Sequence, residues 1–91
     1  MAYKVLYADS AKKELAKLGA DTSKRIVDKI EVHLVKDPSS IGKPLTGHFK
    51  GYWSYRFNNY RVLFRIKNDE VIIIVLRVGH RKDVYLKPFL N

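Results

Sequence analysis

The sequence predicts an α+β domain in which an N-terminal strand and a helical hairpin precede an antiparallel β-meander, all forming one sheet with the helices packed on one face. Three observations predict it. Residues 3–7 place aromatic and β-branched side chains at period two, as a short strand does. The following stretch, to Lys36, carries two apolar stripes at helical spacing with Gly19 between them. Residues 53–78 then hold three apolar runs of strand length, divided by Asn58-Asn59 and by Lys67-Asn68-Asp69-Glu70.

Each element has its own local reason. Tyr3-Lys4-Val5-Leu6-Tyr7 is the first strand, and Asp9 or Ser10 is placed to cap the helix after it. Ala11, Leu15 and Leu18 fall at i, i+4 and i+7 on one stripe, with Lys12, Lys13 and Lys17 solvating the polar face. Gly19 stops that helix in a left-handed conformation. A second helix begins near Asp21-Thr22-Ser23 and runs to about Lys36, burying Ile26, Val27, Ile30 and Leu34, and Pro38 prevents its continuation. Residues 39–51, with Gly42, Pro44, Gly47 and Gly51, read as a loop anchored by Leu45 and Phe49. Strands are expected over 53–57, 60–66 and 71–78. A two-residue turn at Asn58-Asn59 sets the register of the first pair, with Phe57 opposite Tyr60 and Arg56 opposite Arg61. Alternation then assigns Trp53, Tyr55, Phe57, Val62, Phe64, Ile66, Val71, Ile73 and Val75 to the helix-covered face. Ser54, Arg56, Arg61 and Arg65 take the other face, with Leu63, Ile72, Ile74 and Leu76 among them.

Ninety-one residues, 46% of them hydrophobic, make a single domain over 1–91 with one modest core and no separate substrate domain. Eighteen Lys and Arg against nine Asp and Glu give a net charge of +9, which favours a polyanionic partner, nucleic acid or an acidic protein. Cysteine is absent, so neither disulfides nor thiolate chemistry are available, as suits a reducing cytoplasm. The N-terminus lacks a signal pattern, and the longest apolar run, 71–76, is too short to span a bilayer. A cytoplasmic protein with no membrane partner is therefore expected. Metal-ligand spacings and phosphate-loop motifs are missing, so no cofactor is expected.

Five of the six arginines lie in residues 46–91, which matters because guanidinium offers a fixed fork of donors suited to phosphate. Two like charges directly across a hairpin cost roughly 0.2–1 kcal/mol unless an anion bridges them. Arg56 and Arg61 stand in that relation, and a phosphate would supply the anion. After the last strand comes Gly79-His80-Arg81-Lys82-Asp83-Val84-Tyr85. An imidazole, guanidinium groups and a phenol gathered at sheet edges make a kit for acting on a phosphodiester.

The order of elements, with Leu45-Thr46-Gly47-His48, Gly51-Tyr52-Trp53, Tyr60-Arg61-Val62 and Val78-Gly79-His80-Arg81 ending in Val84-Tyr85, resembles the RelE branch of the RelE/ParE superfamily of bacterial toxins. The resemblance covers most of the chain. It implies a RelE-like fold and the toxin of a type II toxin-antitoxin system. Such a toxin cleaves mRNA in the ribosomal A site without a metal, beside 16S rRNA, and is neutralised by a cognate antitoxin. It also implies that Arg61 and Arg81 bind and stabilise the scissile phosphate and that Tyr85 positions the attacking nucleotide. Arg56 matches a basic position on the preceding strand. Ser54 stands where many relatives carry a second basic residue.

Metal-free RNA cleavage needs a base for the 2′-hydroxyl, cationic donors for the phosphorane and an acid for the departing 5′-oxygen. Arg61 and Arg81 suit the second task, at about 2.7–4 kcal/mol of transition-state stabilisation each, and guanidinium cannot shuttle protons. His80 is the titrating candidate, in a direct acid or base role or simply packed at the strand end. Arg65 is an auxiliary substrate contact or a solvated edge charge. Arg77 has the parity of the core face and is expected to pair with an acid. His33, expected mid-helix, and His48, in a loop, read as structural or surface residues. The alternative function is a ParE-like poison that binds DNA gyrase without cutting RNA.

Overall fold

Turn chemistry and alternation gather five strands into one mixed sheet, and the computed structural model describes it over residues 2–80. Strands β1 (Lys4–Tyr7), β2 (Lys43–Pro44), β3 (Trp53–Phe57), β4 (Tyr60–Lys67) and β5 (Ile72–His80) lie in the order β1-β5-β4-β3-β2. β1 runs parallel to β5, and the other neighbours are antiparallel. Between β1 and β2 come α1 (Asp9–Lys17), α2 (Ala20–Val32), a 3₁₀ turn (Leu34–Lys36) and the short α3 (Pro38–Ile41). The α+β expectation holds, as does the meander of the three long strands.

The helices supply Ala11, Leu15, Ile26 and Ile30 to a core completed by Leu34, Val35, Tyr55, Val62, Phe64, Ile73, Val75 and Val78. Trp53, Phe57 and Ile66 pack partly buried at its margin, so the alternation assigns the covered face correctly in β3 and β4. Tyr7 ties β1 to α2 by donating its hydroxyl hydrogen to Glu31 at 2.7 Å. Burial, that bond and the carboxylate charge together push the Tyr7 phenol above its ordinary range.

Several local expectations are corrected. Asp9 is the first residue of α1, not its cap; Ala8 holds that position with no side-chain bond. Gly19 has φ 89° and ψ 159°, an extended positive-φ conformation open essentially only to glycine, rather than the left-handed helical one. α2 ends at Val32, four residues early, because the backbone tightens to 3₁₀ before Asp37-Pro38 while Leu34 and Val35 keep the apolar pattern going. The segment 39–51 is more than a loop: Lys43 and Pro44 pair with Ser54 and Trp53. Val71 is left-handed at φ 55° and precedes β5, so it is not a core-face strand residue. Leu63, expected on an open face, is fully buried at the middle of the central strand, between Ser54 and Arg77 across the two ladders.

A bulge explains the last part of β5. Phe64 faces Val75 and Leu63 faces Arg77, leaving Leu76 unopposed and reversing the alternation. Val78 thereby enters the core and Arg77 leaves core parity. β1 covers β5 only as far as Val75, and α1 takes over the edge beyond it. The Ala8 N–H donates to Val75 O at 2.9 Å and Ser10 Oγ to Leu76 O at 2.6 Å. Glu14 accepts the Val78 N–H at 2.9 Å and three Arg77 guanidinium contacts at 2.7–3.0 Å. One carboxylate therefore closes a sheet edge and neutralises the arginine beside it. The hydrogen bonds to Glu14 raise the Arg77 pKa, so on the alkaline side this stabilisation persists until the guanidinium itself titrates.

Two stability predictions follow from this packing. Glu14→Ala leaves the Val78 N–H and Arg77 without that acceptor and should cost about 1.5–3 kcal/mol in urea unfolding. At Gly42 a Cβ would lie 2.7 Å from the buried Phe64 ring and 2.9 Å from Pro38 O, so Gly42→Ala should cost roughly 1–3 kcal/mol by overpacking.

Candidate functional site

The β3–β4 hairpin carries the site's charge. Its two-residue turn is closed by Asn58 at φ 53°, a conformation asparagine tolerates better than most residues. Phe57 consequently faces Tyr60 and Arg56 faces Arg61, as the sequence requires. Arg56 is exposed and Arg61 half-buried, with its Nε sealed from solvent. Directly across from Arg61 on β5 is Gly79, which has no side chain to fill that position.

Because β2 pairs with β3 only at Trp53 and Ser54, the rest of the β3 edge opens onto a cleft of about 300 Å³. Arg56, Arg61, Ser54 and Tyr55 line it from the hairpin, Ile41 and Lys43 from the α3–β2 segment, and His33 from the end of α2. Lys43 stands directly opposite Ser54, so this end of the cleft carries an ammonium from a neighbouring strand even though position 54 is uncharged. His33 Nδ1 lies 3.0 Å from the Tyr55 hydroxyl. Tyr55 is only 6% exposed, and burial raises its pKa, which keeps the phenol protonated. The cleft thus joins two guanidinium groups, an ammonium, a hydroxyl and an imidazole fixed by a phenol. Such a set can bind an oxyanion and move a proton.

The other expected residues are placed differently. His80 is exposed at the end of β5, opposite Tyr60 with ring centroids 5.0 Å apart, and is not among the described residues lining the cleft. Arg65 lies four residues from Arg61 along β4, about 13 Å at strand rise. It borders a separate recess with Lys50, Gly51 and Tyr52, its guanidinium 5.8 Å from the Tyr52 ring centre. Arg81 and Tyr85 lie outside the described residues. Sequence reasoning passed over His33, Lys43 and Tyr55. The one signal for His33 was its position shortly before Asp37-Pro38, where a helix must end. Among the described residues no group of three or more His, Cys, Asp or Glu is placed to hold a metal ion, and no helix is long and apolar enough to cross a membrane.

Fold and cleft together define a small basic α+β domain with paired arginines on a hairpin, and comparison with known proteins gives its family. Residues 5–85 match the family model described as the ParE toxin of type II toxin-antitoxin system, parDE. Toxin RelG of Mycobacterium tuberculosis is 34% identical over 85 residues, spanning 93% of this chain and 98% of RelG. A chain in the crystal structure of the M. tuberculosis RelBE2 toxin-antitoxin complex superposes with a TM-score of 0.85 at 32% identity, over 91% of this chain and 95% of that one. The isolated Escherichia coli RelE toxin gives a TM-score of 0.70 at 24% identity over 93% of each chain, a likeness of fold. The chain belongs to the RelE/ParE family of type II toxin-antitoxin toxins.

If the facing arginines are an anion site, removing one relieves repulsion and weakens binding together. Arg56→Gln should raise stability by about 0.2–1 kcal/mol in low salt. The increase in Tm that sulfate gives the wild type should be smaller in the variant, as differential scanning fluorimetry would read.

Proposed function

We propose that this toxin is a ribosome-dependent, metal-independent endoribonuclease that cleaves mRNA in the A site through attack of a 2′-hydroxyl, and that it acts in the cytoplasm. The observation that carries this reading is Arg56 directly across from Arg61 in one cleft with Lys43, His33 and Tyr55. Paired guanidinium groups hold the non-bridging oxygens and meet the charge that grows on phosphorus in the transition state. Arg81, which follows His80 in the sequence, is assigned to the same phosphate on the strength of its match to the family motif. Tyr85 is assigned to positioning the attacking nucleotide, and Arg56, Ser54 and Arg65 to contacts along the RNA. His80, packed against Tyr60, is assigned a contact at the strand end rather than the central proton transfer. Products would be a 2′,3′-cyclic phosphate and a 5′-hydroxyl.

A cognate antitoxin is the second partner. The solved M. tuberculosis and E. coli RelBE complexes contain toxin with antitoxin. A net charge of +9 and exposed Arg56 and Arg65 call for an acidic segment here, which would add stability by binding only the folded state.

The matched ParE model favours a second reading, a gyrase poison that binds protein without cutting RNA. Inducing the chain alone in bacteria and mapping mRNA 5′ ends separates the two. New ends at fixed positions within translated codons are expected for wild type, and Arg61→Ala should abolish both the cuts and growth arrest. Growth arrest with intact mRNA and a DNA-damage response would support the gyrase reading instead.

A further inference from the structure

Because α2 stops at Val32, His33 becomes its C-cap and supplies the only imidazole among the described residues that line the Arg56/Arg61 cleft. We infer that His33 is the group that takes the 2′-hydroxyl proton in this cleft, through Nε2, and that Tyr55 is the residue positioning it. The inference rests on the nuclease reading above.

Three features carry it. The arginines of the cleft cannot accept a proton. The Tyr55 hydroxyl, 3.0 Å from Nδ1, is held by a ring locked in the core, so it fixes the orientation of the imidazole. With hydrogen on Nδ1, that nitrogen donates to the phenol oxygen and Nε2 keeps its lone pair. After Nε2 takes a proton the same Nδ1–H bond persists, so the ring need not turn between its two states.

The 2′-hydroxyl proton passes to Nε2 while the 2′-oxygen–phosphorus bond forms and the phosphorus–5′-oxygen bond breaks. The departing 5′-oxygen takes a proton from water, and His33 returns its own to solvent. Arg56 and Arg61 hold the charge on the non-bridging oxygens throughout.

Arg25, Asp28 and Lys29 of α2 border a groove that shares His33 with the cleft, and Lys43, Arg56 and Arg61 face it from β2, β3 and β4. A pH dependence therefore belongs to His33 only if it disappears when the imidazole does. The test is single-turnover cleavage of mRNA on programmed ribosomes between about pH 5 and 8. His33→Gln should slow cleavage by about 10²-fold or more and remove the acid limb of the profile. The variant should still melt cooperatively and bind antitoxin, with any fall in Tm no larger than the loss of the one bond to Tyr55 explains. Tyr55→Phe, which keeps the ring in the core, should lower the rate less and displace the limb. Lys43→Gln should lower the rate and leave the limb in place. Wild-type rate and profile in His33→Gln would overturn the inference with the nuclease reading intact. Loss of the limb in Lys43→Gln instead would transfer the role to Lys43 and also overturn it. No cleavage by wild type would overturn both.

Discussion

The turn at Asn58-Asn59 sets the register on which the rest of this molecule depends. Two residues between β3 and β4 leave one pairing, and that pairing places Arg56 against Arg61. A slip of one residue would also exchange the faces of Tyr55, Val62 and Phe64, which are buried, so the core enforces the same register from the other side. The hairpin therefore keeps two like charges together that would otherwise separate. Their repulsion is small beside the burial of Phe64 and Val62, each of which is worth roughly 1.5–3 kcal/mol. Packing wins, and the two guanidinium groups are held on facing strand positions.

A second constraint lies at the opposite end of the sheet. β1 is too short to cover β5, and an uncovered edge invites pairing with another chain. α1 resolves this with backbone and side-chain bonds from Ala8, Ser10 and Glu14. The bulge at Leu76 turns Val78 into the core and sends Arg77 to Glu14. It also carries β5 to Gly79 and His80 in register with Arg61 and Tyr60, so an irregularity near the strand's middle sets what stands beside Arg61. Structure at one edge and chemistry at the other are linked through a single strand.

How much of this could be read from the sequence depended on whether a residue's neighbours carried a local signal. β3 was bounded at Trp53 and Phe57 because turn residues flank alternating side chains. Arg56 and Arg61 were paired correctly because a two-residue turn leaves no other register. The end of α2 was misjudged because Leu34 and Val35 continue the apolar period after the helix has stopped. β2 is two residues long, one of them Pro44, and has no period to detect. The bulge was hidden in a run, 71–76, that is apolar at every position. The first two misreadings explain two of the site residues that were overlooked. His33 depends on where α2 ends, and Lys43 depends on β2 existing. Tyr55 was assigned to the core, correctly, but its hydroxyl matters only once His33 stands over it.

Family and fold make this chain a type II toxin, while the account of its chemistry rests on one cleft. That account is tested most directly by presenting the protein with ribosomes programmed with an mRNA whose A-site codon is either all-ribose or carries a single 2′-deoxy nucleotide at the cleaved position. The cleft's chemistry predicts cleavage of the ribose message to a 2′,3′-cyclic phosphate and a 5′-hydroxyl, and none of the deoxy message. Equal cleavage of both would show that the 2′-oxygen is not the nucleophile, and no cleavage of either would remove RNA from this protein's targets.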